Sequence, residues 1–365
     1  MSPGADRRAT PAEANSEAQR NLGRLLDAVD PDRPIAIYTH DHPDPDSIAA
    51  AYALEHLLSR KLDADPVLAY GGTIGRATNR AMIELLSIPM QPLRAIDYEA
   101  FGTHCLIDTQ PKTGNHSLPP DLPIAIAIDH HPRGDFGAPD EATFADVRTE
   151  YGATSTMMYY YLKAAGIDLP TKLATALLFG IKSDTRELER EASEADLHAY
   201  LEIFPRADLT LLARIESPRI PRPYFEAYHK ALEEGVIHDG ALVSDLGEVE
   251  NPDLVAELAD FFIPLDRIHH SLVIGRHEGR VYLSLRTREE EHDAGITIQR
   301  IVRELGTAGG HGRMAGGQIE LGGGEDGEAA VRRVRRRFLE EMGLDPDAEG
   351  EPLVREQEES RGALP

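Results

Sequence analysis

The residues from Tyr38 to Leu54 read YTHDHPDPDSIAAAYAL, and positions 40–46 alone hold two His and three Asp. Carboxylates held this close raise one another's pKa unless cations neutralise them. Divalent ions do so, and Asp with His at close range suits Mn, Fe, Co or Zn better than Ca, which prefers an oxygen shell. Three later segments carry the same residue types: Asp108 in LIDTQ, Asp129-His130-His131 in AIDHHP, and Asp184 in GIKSDT. Each has a plain structural reading; HDHPDPD, for instance, also suits a polar turn running into a helix N-cap. Their joint occurrence in this order, three of them at the ends of apolar strand-like runs and Asp184 at the end of a helix-like one, argues for one shared site. Asp44 and Asp46 stand two apart in an expected loop, so they can face different ions of a pair. Two ions roughly 3.5–4 Å apart can activate a water and clamp a phosphoryl oxygen, the equipment of phosphoester hydrolysis.

Such residues need a scaffold that delivers them to one rim. IAIYT (35–39), PVLAY (66–70), HCLIDT (104–109) and IAIAIDH (124–130) have the length and flanks of buried parallel strands. Helical patterns lie between and after them, at 47–61, 78–88, 154–166 and 171–184. The alternation predicts an α/β fold, an open and mainly parallel sheet with helices on both faces, in which ligands bind beyond the carboxyl ends of the strands. After about Phe204 the texture changes. A Pro-containing bridge leads to the helix YFEAYHKALEEG, a hairpin turning at Glu278-Gly279, and the Gly-rich stretch TAGGHGRMAGGQIELGGG. This predicts a smaller α+β C-terminal domain across a cleft. The expected boundaries are a disordered 1–20, a first domain at 21–205, a linker at 206–225, a second domain at 226–345 and a disordered tail at 346–365.

Composition narrows the class. The 365 residues carry a net charge of −25, which repels polyanions and excludes a general binder of long duplex nucleic acid. The single Cys, Cys105, rules out an intramolecular disulfide and fits a reducing cytosol. No apolar run approaches a membrane span, so the expected location is cytoplasmic, with no membrane partner. The arginines 332, 333, 335, 336 and 337 form the one basic cluster, whose default reading is a solvated helix face.

Taken together, THDHPDPDS, LIDTQ, AIDHHP and GIKSDT resemble the four successive motifs of the DHH phosphoesterase superfamily, over about residues 35–205. The second part resembles the family's Gly-Gly-His substrate-binding domain, through GGHGRMAGG (309–317) and the Ser-x-Arg-Thr strand SLRT (284–287). Size and second domain are similar to the nanoRNase/pAp-phosphatase group. The resemblance implies a cofactor of two divalent ions, Mn2+ above all. His40 and Asp44 would hold one ion and Asp46 and His130 the other; Asp108 would bridge, and Asp184 would complete or bridge the set. His131 would act on substrate as proton donor or phosphate ligand, with Asp129 orienting the imidazoles. Arg286, Gly309, Gly310, His311 and Arg313 would receive the substrate. Two positions depart from the pattern: His42, taken as solvated, and Arg186, for which a phosphate contact and a structural ion pair stay open.

The implied activity is hydrolysis of short oligonucleotides, in the manner of a nanoRNase-like exonuclease, or of pAp, by a two-metal hydroxide mechanism. The alternatives are an exopolyphosphatase or pyrophosphatase acting on phosphoanhydrides, a phosphodiesterase for cyclic or linear dinucleotides, and a nucleotide-binding regulatory module without catalysis. The expected partner is a short oligonucleotide or nucleotide phosphate, and a homodimer is compatible with this reading.

Overall fold

The computed structural model describes residues 8–30, 32–132, 142–189, 192–289, 292–322 and 326–354; the side chain of His311 also lies outside the described set. The chain divides into two compact units, Met1–Pro218 and Arg219–Pro365.

The first unit runs α1 (Pro11–Asp27), β1 (Ile35–Tyr38), α2 (Pro45–Leu62), β2 (Val67–Tyr70), α3 (Ala77–Leu86), β3 (Met90–Pro92), β4 (Thr103–Ile107), β5 (Ile124–Asp129), β6 (Ala142–Val147), α4 (Thr154–Ala164), α5 (Thr171–Asp184), α6 (Glu194–Ile203) and α7 (Leu209–Glu216). Its six strands form one parallel sheet in the order β3-β2-β1-β4-β5-β6. Successive strands move outward from β1 in one direction and then, from β4, in the other. The switch point therefore lies between β1 and β4, where a doubly wound sheet opens its crevice. Alternation along the strands sends Ile35, Ile37, Cys105, Ile107, Ile126 and Ile128 to one face, against the apolar sides of α1, α2, α4, α5 and α6. The opposite residues, Ala36, Tyr38, Leu106 and Ala127, lie under Leu93, Ile96, Tyr98, Leu118 and Leu122, carried by two short 3₁₀ turns and the segment near 118–122. All residues of β1 and β4 are buried, which is why IAIY and CLI read as unbroken apolar runs.

Helix α2 positions the site most directly. Pro45 occupies its first turn and Asp44 caps it, the Oδ1 atom accepting the Ser47 N–H at 2.9 Å. Its Ala49, Ala50, Ala51 and Ala53 are fully buried, and such small side chains permit close approach of neighbouring helices. The expected loop around Asp46 is thus the first turn of a helix.

The second unit runs α8 (Arg222–Glu233), β7 (Val236–His238), β8 (Ala241–Glu248), α9 (Asp253–Phe262), β9 (His270–His277), β10 (Arg280–Thr287), α10 (Ala294–Val302), β11 (Thr307–His311), β12 (Met314–Glu320), α11 (Gly327–Glu341) and β13 (Glu351–Pro352). It is a mixed seven-stranded sheet ordered β11-β12-β10-β9-β8-β7-β13, parallel only between β8 and β9. Two cores serve it, one with α10 and α11 and one with α9.

Three boundary expectations need correction. Residues 11–20 are helical, with Thr10 and Glu13 closing a capping box and Pro11 at the first position. Residues 209–216 of the expected linker form α7, capped by Asp208. Within the expected tail, Glu351–Pro352 pair with β7, while 355–365 lie outside the described residues, as do 1–7 of the expected disordered start. No helix among the described residues is long and apolar enough to cross a membrane.

Candidate metal centre

The ends of three adjacent strands supply the rim. His40 follows β1, Asp108 follows β4 directly, and Asp129 closes β5 with His130 and His131 behind it. Asp44 and Asp46 come from the start of α2, and Asp184 from the end of α5. Their ligand atoms fall into three overlapping groups, each within 4.8 Å: His40, Asp44 and Asp108; Asp108, His130 and His131; and Asp46, His130 and Asp184. Asp108 links them, standing 3.7 Å from His40 Nε2 through Oδ2 and 3.7 Å from His130 Nε2 through Oδ1. His130 Nε2 is also 2.9 Å from Asp184 Oδ2, and His40 Nε2 is 3.9 Å from Asp44 Oδ1.

Backbone carbonyls orient two of the imidazoles. His40 Nδ1 lies 2.8 Å from the Asp41 carbonyl and His130 Nδ1 lies 3.2 Å from the Tyr151 carbonyl. A carbonyl only accepts, so each Nδ1 carries a proton and each Nε2 faces the carboxylates, where its lone pair is available to a cation once the Nε2 proton leaves. Asp108 Oδ2 is buried without a hydrogen-bond partner, and His130 Nε2, though 2.9 Å from Asp184 Oδ2, makes no well-aligned hydrogen bond. Orphaned polar atoms are costly, and here they sit where a cation would satisfy both. The donor set of carboxylate oxygens and imidazole nitrogens fits a divalent ion of the Mn–Zn series.

Without such an ion the cluster balances itself with protons. Burial disfavours charge on His40, but Asp44, Asp108 and the Asp41 carbonyl outweigh it and push the imidazole up to about 10. His130 is likewise raised, against burial, by Asp184, Asp108 and Asp46. Burial pushes Asp108 up to about 6, with the charges of Asp44 and Asp129 adding to it and His131 and His130 opposing. Asp46 is raised by burial and by Asp108 and Asp184, even though it accepts the Thr154 and Ser155 N–H groups at 2.7 and 2.8 Å. Asp44 is held below the usual carboxylate range: burial would raise it, but His40 and the Ser47 N–H prevail.

Several supports were not foreseen from the sequence. The N-terminus of α4 grips Asp46, as above, and Thr154 Oγ1 donates to Asp108 Oδ1 at 2.7 Å. The hint is YGATST, small and hydroxyl residues opening a helix where its unpaired N–H groups suit anions. Gly180 of α5 also matters, because a Cβ there would lie 2.3 Å from Ser155 Oγ and 3.1 Å from Asp46 Oδ1. In Gly180→Ala, helix propensity contributes about 1 kcal/mol but overpacking costs about 1–3 kcal/mol. We expect a net loss near 1 kcal/mol in denaturant unfolding, with metal affinity in calorimetry reduced about tenfold as Asp46 shifts.

The role expected for Asp129 narrows. Its Oδ1 accepts the His131 N–H at 3.1 Å and faces His131 Nδ1 at 2.9 Å, while Gln110 Nε2 donates to its Oδ2 at 2.7 Å. It orients His131 alone; His130 is oriented by the Tyr151 carbonyl. Asp129→Asn should therefore lower kcat by about 10–100-fold while metal content, measured by elemental analysis, stays unchanged.

His42 is not simply solvated. It adopts φ 56° and its Nδ1 meets Thr73, through the backbone N–H at 3.3 Å and the hydroxyl at 3.2 Å. It anchors the 71–73 loop outside these ligand groups. Arg186 is exposed and begins three consecutive left-handed residues, 186–188.

The second-unit residues stand by themselves. Arg286 pairs by strand register with Met314, next to Arg313 at the turn between β11 and β12. Its guanidinium is buried and committed: Nε and Nη2 donate to Asp260 at 2.5 and 3.2 Å, and Nη1 donates to Ser284 Oγ and the Leu285 carbonyl. Gly310 is required by the sheet, since a Cβ would lie 2.5 Å from the Met314 carbonyl oxygen, whereas Gly309 faces open space. The expected role of the His311 side chain lies outside the described residues. Four of the five arginines of α11 are engaged locally: Arg332 with Asp326, Arg335 with His238, Arg336 with Glu340, and Arg337 with the Ile301 and Arg303 carbonyls.

Comparison with known proteins decides the family. Residues 34–181 match the DHH family, N-terminal domain, and residues 238–340 match the DHHA1 domain. The chain belongs to the DHH superfamily. An uncharacterized protein of Methanocaldococcus jannaschii is 35% identical over 321 residues, 85% of this chain and 64% of the relative. A probable manganese-dependent inorganic pyrophosphatase of Streptococcus pyogenes is 27% identical over 172 residues, 46% of this chain and 53% of the relative. This DHH chain thus spans less than two thirds of either relative's length. Among solved structures, an exopolyphosphatase-related protein from Bacteroides fragilis shares the fold, with a TM-score of 0.69, 14% identity, and coverage of 89% of this chain and 96% of that one.

Proposed function

We propose that this DHH protein is a metal-dependent phosphohydrolase that cleaves the phosphoester bonds of short oligonucleotides or of pAp. The observation that carries the reading is the run of overlapping ligand groups, joined through Asp108 and His130, at the switch point of the parallel sheet. His40, Asp44 and Asp108 would hold one divalent cation, and Asp46, His130 and Asp184 a second, with Mn2+ the expected ion; the manganese-dependent relative supports that choice. Bound there, the ions would supply Lewis acidity toward a phosphoryl oxygen and lower the pKa of a water.

The chain's own residues do the rest. The carboxylates set the charge and spacing that admit cations, and the backbone N–H groups of α4 fix Asp46. His131 remains about a third exposed, and Asp129 raises its proton affinity against the effect of burial. With Nδ1 turned to Asp129, proton donation to a leaving oxygen would run from Nε2. Gly309, Gly310, His311 and Arg313 of the second unit would receive the nucleotide. Arg286 joins them as a phosphate ligand only by exchanging its bidentate pairing with Asp260 for a substrate oxyanion.

A second reading, hydrolysis of phosphoanhydrides, draws on the pyrophosphatase relative, though that likeness extends over less than half the chain. The same ligands would serve it. With Mn2+ present, a labelled RNA dinucleotide, pAp, pyrophosphate and polyphosphate are compared at low and high salt. Release of mononucleotide, or of phosphate from pAp, at a kcat/KM at least tenfold above that for pyrophosphate and polyphosphate supports the first reading. The reverse order assigns the centre to phosphoanhydrides.

A further inference from the structure

We propose that the second unit carries a transition-metal site of its own, formed by His270, Glu289 and His292. These residues come from three places in the fold. His270 opens β9 and is mostly buried; Glu289 lies two residues beyond β10; His292 directly precedes Asp293, the N-cap of α10. Strand register sets Thr287 opposite His270, so the chain leaving β10 carries Glu289 past the His270 ring. The Glu289 N–H is fixed by the Thr287 hydroxyl at 3.1 Å.

Their ligand atoms all lie within 4.8 Å of one another. His270 Nε2 is 3.4 Å and His292 Nδ1 is 2.7 Å from the same oxygen, Glu289 Oε2. The two rings meet edge to face with centroids 5.2 Å apart. A tetrahedral ion with bonds of about 2.0–2.2 Å needs donor atoms roughly 3.3–3.5 Å apart. The His270–Glu289 pair has that spacing, and the His292–Glu289 pair reaches it by an outward shift of under 1 Å of an exposed side chain. A third imidazole stands by, His269 Nδ1 lying 3.6 Å from Glu289 Oε1. Three imidazoles around one carboxylate exceed what an ion pair requires. Two imidazoles and a carboxylate with an open position make a donor set for Zn2+ and its neighbours, and a poor one for Mg2+ or Ca2+.

The site has a local consequence. Asp293 Oδ1 caps α10 at the Ile296 N–H, its Oδ2 accepts the Gly312 N–H at 3.0 Å, and the Ala294 N–H donates to the Gly312 carbonyl at 2.7 Å. An ion holding His292 would also steady the turn that carries Gly310 and Arg313.

Zinc alone is the probe. Full-length wild type, His292→Ala, His270→Asn and Asp46→Asn are taken through equilibrium dialysis against Zn2+, and amide exchange is followed over the β11–β12 turn. His292 is exposed, so its variant keeps the fold even where the buried His270 variant does not. The site predicts an equivalent of zinc bound at least tenfold more weakly in His292→Ala and unchanged in affinity in Asp46→Asn. It also predicts that zinc slows exchange at residues 309–314 in wild type and not in His292→Ala. Equal zinc binding by wild type and His292→Ala, or loss of every zinc equivalent in Asp46→Asn, would overturn it.

Discussion

Asp108→Asn should lower kcat by at least about 10³-fold and yet leave the protein no less stable in the metal-free state. The activity loss follows from position. Among the described residues Asp108 is the one carboxylate within 4 Å of both His40 and His130, and replacing it removes a negative charge that either cation would need. The stability expectation follows from three local facts. Asp108 has φ 58°, a left-handed conformation that Asn tolerates well. The Thr154 hydroxyl still finds an oxygen to donate to. Removal of a charge from a buried carboxylate cluster relieves the repulsion that raises Asp46. Steady-state kinetics with a dinucleotide and thermal unfolding in chelator are the two readouts. A kcat within tenfold of wild type would remove Asp108 from the mechanism. A large loss of metal-free stability would mean that its role is structural.

Stripping divalent ions should produce the second large effect. A cation that binds only the folded state at a thousand times its Kd adds about 4 kcal/mol of stability. For a unit of 218 residues that is roughly 8–16 °C in Tm, and both ions together exceed it. The pH dependence should change as well. In the metal-free protein His40 titrates at about 10 rather than at its ordinary 6.5. Its contribution is complete below 6.5 and is lost as pH rises toward 10. Asp108, raised to about 6, likewise contributes below its ordinary 3.8 and loses that contribution as pH rises through 6. Metal-free protein should therefore lose Tm progressively from near neutral pH to about pH 10, and Mn2+ should flatten the slope by standing in for the His40 proton. Calorimetry with and without Mn2+ measures both effects. An alkaline slope that is the same with and without Mn2+ would sever the link between these imidazoles and metal.

The rim was legible in the sequence because it lies where short apolar runs end. IAIYT, HCLI and IAIAI announce buried strands, and a parallel sheet leaves its strand ends together. What escaped was the work of the backbone. Asp44 was read as either a helix cap or a ligand, and it is placed to serve as both. The Tyr151 carbonyl that turns His130, and the Thr154 and Ser155 N–H groups on Asp46, carry no side-chain signature. Asp260, which occupies the Arg286 fork, lies 26 residues away on a helix with nothing in its surroundings to mark it. The start of the helix at 11–27 was a missed opportunity, since Thr-Pro-Ala-Glu at 10–13 spells a capping box with Pro at the first position.

The central claim is that one carboxylate-rich rim holds two cations around Asp108. Anomalous scattering at the manganese edge, from crystals soaked in Mn2+, tests it most directly. The account predicts two peaks about 3.5–4 Å apart, one beside His40 and Asp44, the other beside Asp46, His130 and Asp184, with Asp108 between them. A lone peak remote from Asp108, or an empty rim in protein that is hydrolytically active, would contradict it.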